Sequence, residues 1–173
     1  PGPVRGTSPG PLAFGSSVHA MLRGRTGLSP VMIGRHPALS RLLGLVEAAE
    51  VRSGDGPEIA LVSGEAGIGK TRLLQDFAAG LQGVAAVQAR PGDAGIPYAV
   101  LARLLRAVLA AHGAVPSGER RAELALVMPE LGAAVEVSGQ AQRWRLGCAA
   151  EAVLAEAMVA GLQAAIVDDL HFA

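Results

Sequence analysis

The chain has 173 residues and a mass of 17.5 kDa, and half of it is apolar, which suits about one globular domain with enough material for a core. Fifteen Lys plus Arg balance fifteen Asp plus Glu, so no net field exists to hold a polyanion, and a nucleic-acid-binding surface is not the expected reading. The single Cys148 excludes an internal disulfide, and no Cys/His cluster has ligand spacing; both features fit a reducing compartment, so a cytoplasmic location is expected, with any DNA contact made by a domain not present in this chain.

Residues 1–28 contain Pro1, Pro3, Pro9 and Pro11 among glycines with little periodicity, a composition that buries too little surface to offset the entropy of ordering. They read as a flexible leader, with Met21 as an alternative start and the folded domain over 29–173. The stretch Leu12–Leu22 is interrupted by Gly15, Ser16, Ser17 and His19, so it lacks the continuous apolar centre of a secretory signal. Val31-Met32-Ile33 is a short apolar run ending at Gly34. Pro37 then sits where a helix start accepts a missing N–H, and Leu39, Leu42, Leu43, Val46 and Ala49 predict an amphipathic helix over 37–52.

Ser53 to Pro57 punctuate the chain before Ile59-Ala60-Leu61-Val62, a run without a polar face that predicts a strand covered on both sides, the first of a sheet. It leads into Gly64-Glu65-Ala66-Gly67-Ile68-Gly69-Lys70-Thr71, after which Leu73, Leu74, Phe77 and Leu81 repeat as in a helix. Val84–Gln88 predicts a second strand. Leu101, Leu104, Leu105, Val108 and Leu109 predict a helix over 98–111, and a further helix is expected over 118–128. Leu146, Ala150, Val153, Leu154 and Met158 mark a long helix with Arg145 and Glu156 on its wet side. Ala164–Val167 is the third predicted strand, ending in Asp168 and Asp169. Strands interleaved with helices give the fold class: α/β, a parallel sheet flanked by helices. The uncharged stretch Ala157–Val167 falls short of the roughly 20 residues a bilayer span needs, so no membrane contact is expected.

The segment 64–71 fits G-x-x-x-x-G-K-[ST], and each fixed position answers a need of polyphosphate binding. Gly64 and Gly69 permit backbone angles and close approaches that let successive N–H groups point at anionic oxygens. A helix starting at Gly69 to Arg72 adds the positive end of its dipole. Lys70, the only lysine in the chain, supplies a full charge to the terminal phosphates, and the Thr71 hydroxyl is a candidate magnesium ligand. The plainer alternative is a glycine-rich turn with a solvated lysine. A dinucleotide fold is disfavoured because Arg72 stands where a third small residue belongs. At the end of the third strand Asp168 is the second candidate magnesium ligand, and Asp169 is a candidate for orienting an attacking water. Here the plainer alternative is a pair of acids capping a turn. GTP is disfavoured, because His171 and Phe172 occupy the places where an Asp-x-x-Gly glycine would fall.

The remaining chemistry-bearing residues have bland readings. Cys148, among alanines, is read as a small packing residue and Trp144 as a packing anchor. Arg103 and Arg106 are read as a wet helix face, His19, His36 and His112 as structural or solvated, and His171 as a turn residue.

Val31–Arg35, Gly64–Leu74, Pro97-Tyr98, Pro129–Leu131 and Ile166–Phe172, taken in this order, resemble the N-terminal ATP-binding domain of large bacterial LuxR-type transcriptional regulators, within the P-loop signal-transduction (STAND) ATPases related to the AAA class. The resemblance covers residues 31–173. It implies a P-loop NTPase fold, ATP and Mg2+ as ligands, Gly34 and Arg35 on the adenine side, residues Gly64, Glu65, Ala66, Gly67, Ile68, Gly69, Lys70, Thr71 and Arg72 around the phosphates, Thr71 and Asp168 at the metal, and Lys70 and Asp169 in catalysis. His36 and Ala38 depart from it where acidic residues are usual, and so does Phe172 where tryptophan is common. The family's next strand lies between the acidic strand and the phosphate-loop strand. The resemblance therefore also leads us to expect a fragment, truncated after the acidic strand, with unpaired backbone in mid-sheet and without efficient hydrolysis. Three functions stay open: a nucleotide-dependent switch in such a regulator, an ATPase domain controlling an attached cyclase or kinase, and a nucleotide-silent interaction module. Self-association of the full-length protein is also open.

Overall fold

The computed structural model describes residues 36–51, 58–112, 116–134 and 139–173. The expected leader and the segment Val31–Arg35 therefore lie outside the described residues. Strands β1 (Val84–Gln88) and β2 (Ala164–Asp168) pair in parallel, in register from Val84 opposite Ala164 to Gln88 opposite Asp168. Because side chains alternate across a strand, Val84, Ala86, Ala164 and Ile166 reach one face of the pair, and Ala85, Val87 and Val167 reach the other. Both faces are apolar, as a parallel sheet requires.

The first face is covered by helices α1 (His36–Val51) and α2 (Lys70–Ala79). Leu39, Leu42, Leu43 and Val46 of α1, with Leu74, Phe77 and Ala78 of α2, pack on Val84 and Ile166. The second face carries the larger core. Helix α3 (Ala99–His112) sends Ala102, Leu104, Leu105 and Val108 inward, and helix α5 (Gln140–Val159) meets them with Leu146, Ala149, Ala150, Val153 and Ala157. Three alanines in that stripe let α5 lie close to its neighbours. The short helix α4 (Gly118–Leu124) adds Leu124, and Met128 follows it into the core. Arg120 with Glu156, and Arg145 with Glu119 at 3.7 Å, tie α4 to α5 at the surface.

The two strands are also pinned where they begin. Gly83 lies against Gly161 so closely that an added Cβ would stand 1.9 Å from the Gly161 carbonyl oxygen. The Gly83 carbonyl accepts the N–H groups of Gln163 at 2.8 Å and Ala164 at 3.2 Å. The side chain of Gln163 closes the corner by accepting from the Gln82 N–H at 2.8 Å.

Five expectations are corrected. Residues 59–62 form no strand, and Ile59 and Leu61 are 90% and 78% exposed. A strand exists by its ladder, and among the described residues no strand runs beside this segment, so an apolar run alone did not make one; the sheet has two strands there, not three. Trp144 is 71% exposed and Cys148 is exposed: each sits two positions, about 200°, from Leu146 on a helix, and the buried stripe runs through Leu146. Met158 is exposed likewise, while its neighbour Ala157 is buried. The helix expected over 118–128 ends at Leu124 and continues as turns. The other elements match their expected spans within two residues where both ends are described, although the long helix extends further at its start than its apolar stripe marks. Among the described residues no helix is long and apolar enough to cross a membrane.

Replacing Gly83 by Ala forces the two backbones apart, and overpacking of this kind costs about 1–3 kcal/mol or more. In urea unfolding, Gly83→Ala is expected to lose that stability. Gly95→Ala, with nothing within 4 Å of an added Cβ, is expected to stay within about 0.5 kcal/mol of the parent.

Candidate phosphate-binding site

Helix α2 ends at Ala79, and the chain turns through Gly80–Gly83 straight into β1 at Val84. A ten-residue helix is about 15 Å long and a five-residue strand about 17 Å. Helix α2 packs along the strand pair, with Phe77 and Ala78 beside Val84 at its C-terminal end. Its N-terminus is thereby returned to the edge where β1 and β2 end, the edge that carries Gln88, Asp168 and Asp169. The glycine-rich loop and the acidic pair thus share one side of the sheet, although they are almost 100 residues apart in sequence.

The loop has the backbone its composition predicts. Gly67 and Gly69 take φ angles of 77° and 94°, which side-chain-bearing residues rarely adopt, and Gly69 is the residue at which α2 starts. No side chain caps that start, so the first N–H groups of the helix point outward without an intrahelical acceptor. Among the described residues nothing accepts from the N–H groups of Gly67, Gly69, Lys70 or Thr71. An added Cβ at Gly67 would meet nothing within 4 Å, so nothing crowds the loop at that residue. Lys70 folds back over it, with Nζ donating to the carbonyls of Gly64 and Glu65 at 2.9 Å each. Two neutral carbonyl acceptors hold the ammonium group at the loop. The Ile68 N–H donates to Glu65 O at 3.4 Å, Thr71 is exposed, and the Arg72 guanidinium turns along the helix to Asp76 at 3.0 Å. Arg72 can therefore offer the site its backbone N–H rather than its charge. Gly34 and Arg35 lie outside the described residues.

At the facing strand end, Asp168 and Asp169 are half-buried. Asp168 Oδ1 accepts the N–H of Asp169 at 2.9 Å, and its second oxygen takes no partner among the described residues. Asp169 stands in the left-handed region, at φ 55°, which aspartate tolerates better than most residues. His171, exposed, belongs to a single helical turn over Leu170–Phe172 and lies 3.9 Å, ring to ring, from Phe172. Among the described residues, no three His, Cys, Asp or Glu gather to hold a metal by themselves. A hydroxyl and one or two carboxylate oxygens suit magnesium, which ordinarily completes its shell with water and phosphate oxygens. The residues present therefore fit a magnesium–polyphosphate and not a free-standing metal centre.

A family model described as an AAA ATPase domain matches residues 31–173. The chain belongs to that family. Searches of curated proteins and of solved structures return no match.

The roles of Arg103, Asp93, Gln88 and Arg106 in this AAA ATPase domain are not signalled by any motif in its sequence. Arg103, expected to be solvated, forks onto Asp93, with Nη1 to Oδ2 and Nη2 to Oδ1 at 2.9 Å each, and Nη1 also donates to the Gln88 carbonyl at 2.7 Å. Asp93, 8% exposed, accepts the Arg90 N–H as well, at 2.7 Å. The Gln88 side chain in turn donates to Asp169 Oδ2 at 2.8 Å. Arg106, also expected to be solvated, pairs with Glu130. No spacing rule announces an Arg–Asp pair ten residues apart across a loop; the one available signal was a polar Gln at the end of an otherwise apolar strand.

The Arg103 hydrogen bonds, helped by the Arg90 N–H and opposed by burial, hold Asp93 down at a pKa of about 2. The Arg106 guanidinium does the same for Glu130, also to about 2. Both carboxyls bind protons more weakly folded than unfolded, so their stabilisation is complete above the unfolded values near pH 4 and is lost as pH falls through about 2. Thermal melts between pH 5 and pH 2 are expected to show a shallower acid-side loss of stability for Asp93→Asn than for the parent chain; equal slopes would contradict the assignment.

Proposed function

We propose that this AAA ATPase domain binds ATP with magnesium at the shared edge of α2 and β2 and serves as the nucleotide-dependent switch of a bacterial LuxR-type transcriptional regulator. The reading is supported by the uncapped start of α2 at the Gly64–Thr71 loop, where no described residue accepts from the N–H groups of Gly67, Gly69, Lys70 or Thr71, and by the run of α2 back along the strand pair that ends in Asp168 and Asp169. The backbone donors of residues 67–71 hold the anionic tail, and the α2 dipole adds roughly half a charge to the attraction. Lys70 is a short swing from the loop carbonyls it now touches and neutralises the outer phosphates. Thr71 and Asp168, whose second carboxylate oxygen has no partner among the described residues, would hold magnesium. The bound ion screens the phosphate charges from one another. Asp169 would accept a hydrogen bond from a water approaching the terminal phosphate and so orient it.

The switch reading follows the sequence resemblance: its matching pieces run in order from the loop through Pro97-Tyr98 and Pro129–Leu131 to Ile166–Phe172. DNA is contacted, in this reading, through a separate domain, and the output is domain arrangement and not turnover. The exposed apolar segment at Ile59 and Leu61 supports a further strand seating there in the longer regulator.

Calorimetric titration with magnesium-ATP tests the binding site. Removing a charge-assisted hydrogen bond costs about 1.5–3 kcal/mol, so Lys70→Ala is expected to weaken affinity at least about tenfold. Equal affinities for the variant and the parent would contradict the site.

A further inference from the structure

The cluster behind Asp169 contains more hydrogen bonds than loop anchoring requires. Asp93 and Arg103 satisfy each other through a two-point fork, which by itself would staple the 89–98 loop to α3. Arg103 spends a further bond on the Gln88 carbonyl, at the last residue of β1, and the Gln88 side chain faces Asp169 from the opposite strand end. The result is an unbroken path from the buried carboxylate of Asp93 through Arg103 and Gln88 to Asp169.

We propose that Arg103 and Asp93 are positioning residues that act through Gln88 to hold the Asp169 carboxylate in one orientation at the carboxyl edge of the sheet. The use of that orientation rests on the reading above, in which Asp169 directs a water. A half-buried aspartate at the end of a strand has three staggered χ1 wells to choose from. One hydrogen bond from Gln88 selects among them only if Gln88 is itself fixed, and a glutamine side chain has three soft torsions. Its backbone is fixed twice. Gln88 is in register with Asp168, with the adjoining Ala89 N–H donating to the Asp168 carbonyl at 2.9 Å, and its own carbonyl is gripped by Arg103. Arg103 can do this because its guanidinium is planar and already oriented by the fork. A lysine at that place would keep the charge and lose the geometry. Asp93, buried, keeps its half of the fork largely away from water.

The test uses the whole chain, labelled with 15N, and reads the side-chain amide signals of Gln88, assigned by their loss in Gln88→Leu. In the parent these signals are expected to lie away from the free-glutamine position. Asp169→Asn and Arg103→Lys are each expected to return them at least halfway towards it, while the backbone signals of Val87 and Ile166 stay in place. Should Arg103→Lys fail to fold, Asp93→Asn gives the same comparison. Affinity for magnesium-ATP in Arg103→Lys is expected to stay within twofold of the parent. Gln88 signals indifferent to Asp169→Asn or to the loss of the fork would overturn the proposal, as would a tenfold fall in affinity, which would make Arg103 a binding determinant. If the parent chain fails to bind magnesium-ATP, the nucleotide reading falls while the amide comparison still decides the positioning claim.

Discussion

The parallel pairing of Val84–Gln88 with Ala164–Asp168 is the constraint on which the other features of this domain depend. It settles which side chains face α1 and α2 and which face α3 and α5, because a slip of one residue would exchange the two sets. It also brings Gln88 level with Asp168, so that a polar residue from each strand emerges at the same edge. The close contact of Gly83 with Gly161 fixes the start of both strands and hence the level at which they end. Without that register Gln88 would not stand level with Asp168, and the hydrogen bond from Gln88 to Asp169 would not form.

A second constraint acts through chain length. Helix α2 and strand β1 are nearly equal in extent and are joined by a tight turn, so the start of one is carried to the end of the other. That return is why a helix N-terminus with uncapped N–H groups comes to the same edge as two carboxylates. The charges are complementary in the sense a magnesium-bound polyphosphate needs: a lysine and backbone donors on the loop side, carboxylate oxygens on the strand side. The glycines supply the backbone angles, and Lys70, by folding onto Gly64 and Glu65, keeps its charge at the loop.

Much of this was legible in the amino-acid order, and the reasons are local. Leu73, Phe77 and Leu105 are buried because helical spacing puts them on inward faces, and β1 and β2 occur where short apolar runs sit between turn signals. The loop was legible because its glycine positions are dictated by backbone sterics. What failed depended on non-local partners. Ile59–Val62 has the composition of a strand, but pairing decides the matter and no described strand lies beside it. Trp144, with no second aromatic beside it, reads as a packing anchor, although its phase on α5 relative to Leu146 puts it in solvent. Arg103 and Arg106 were judged by their helix alone, when the acids that bind them come from the 93–95 turn and from Glu130. Charged pairs across loops leave no periodic trace, and for that reason the cluster behind Asp169 emerged only from the three-dimensional arrangement.

The central claim is that the loop and the acidic strand end form a single site around a metal–nucleotide. Paramagnetic broadening by manganese-ATP, read on backbone amide signals of the whole chain, tests it most directly. Gly67 to Thr71 and Asp168 to Asp169 are expected to broaden together at substoichiometric metal, while Gly83 and Gly161, which meet where the two strands begin, stay sharp. Broadening at only one of the two segments, or at neither, would contradict it.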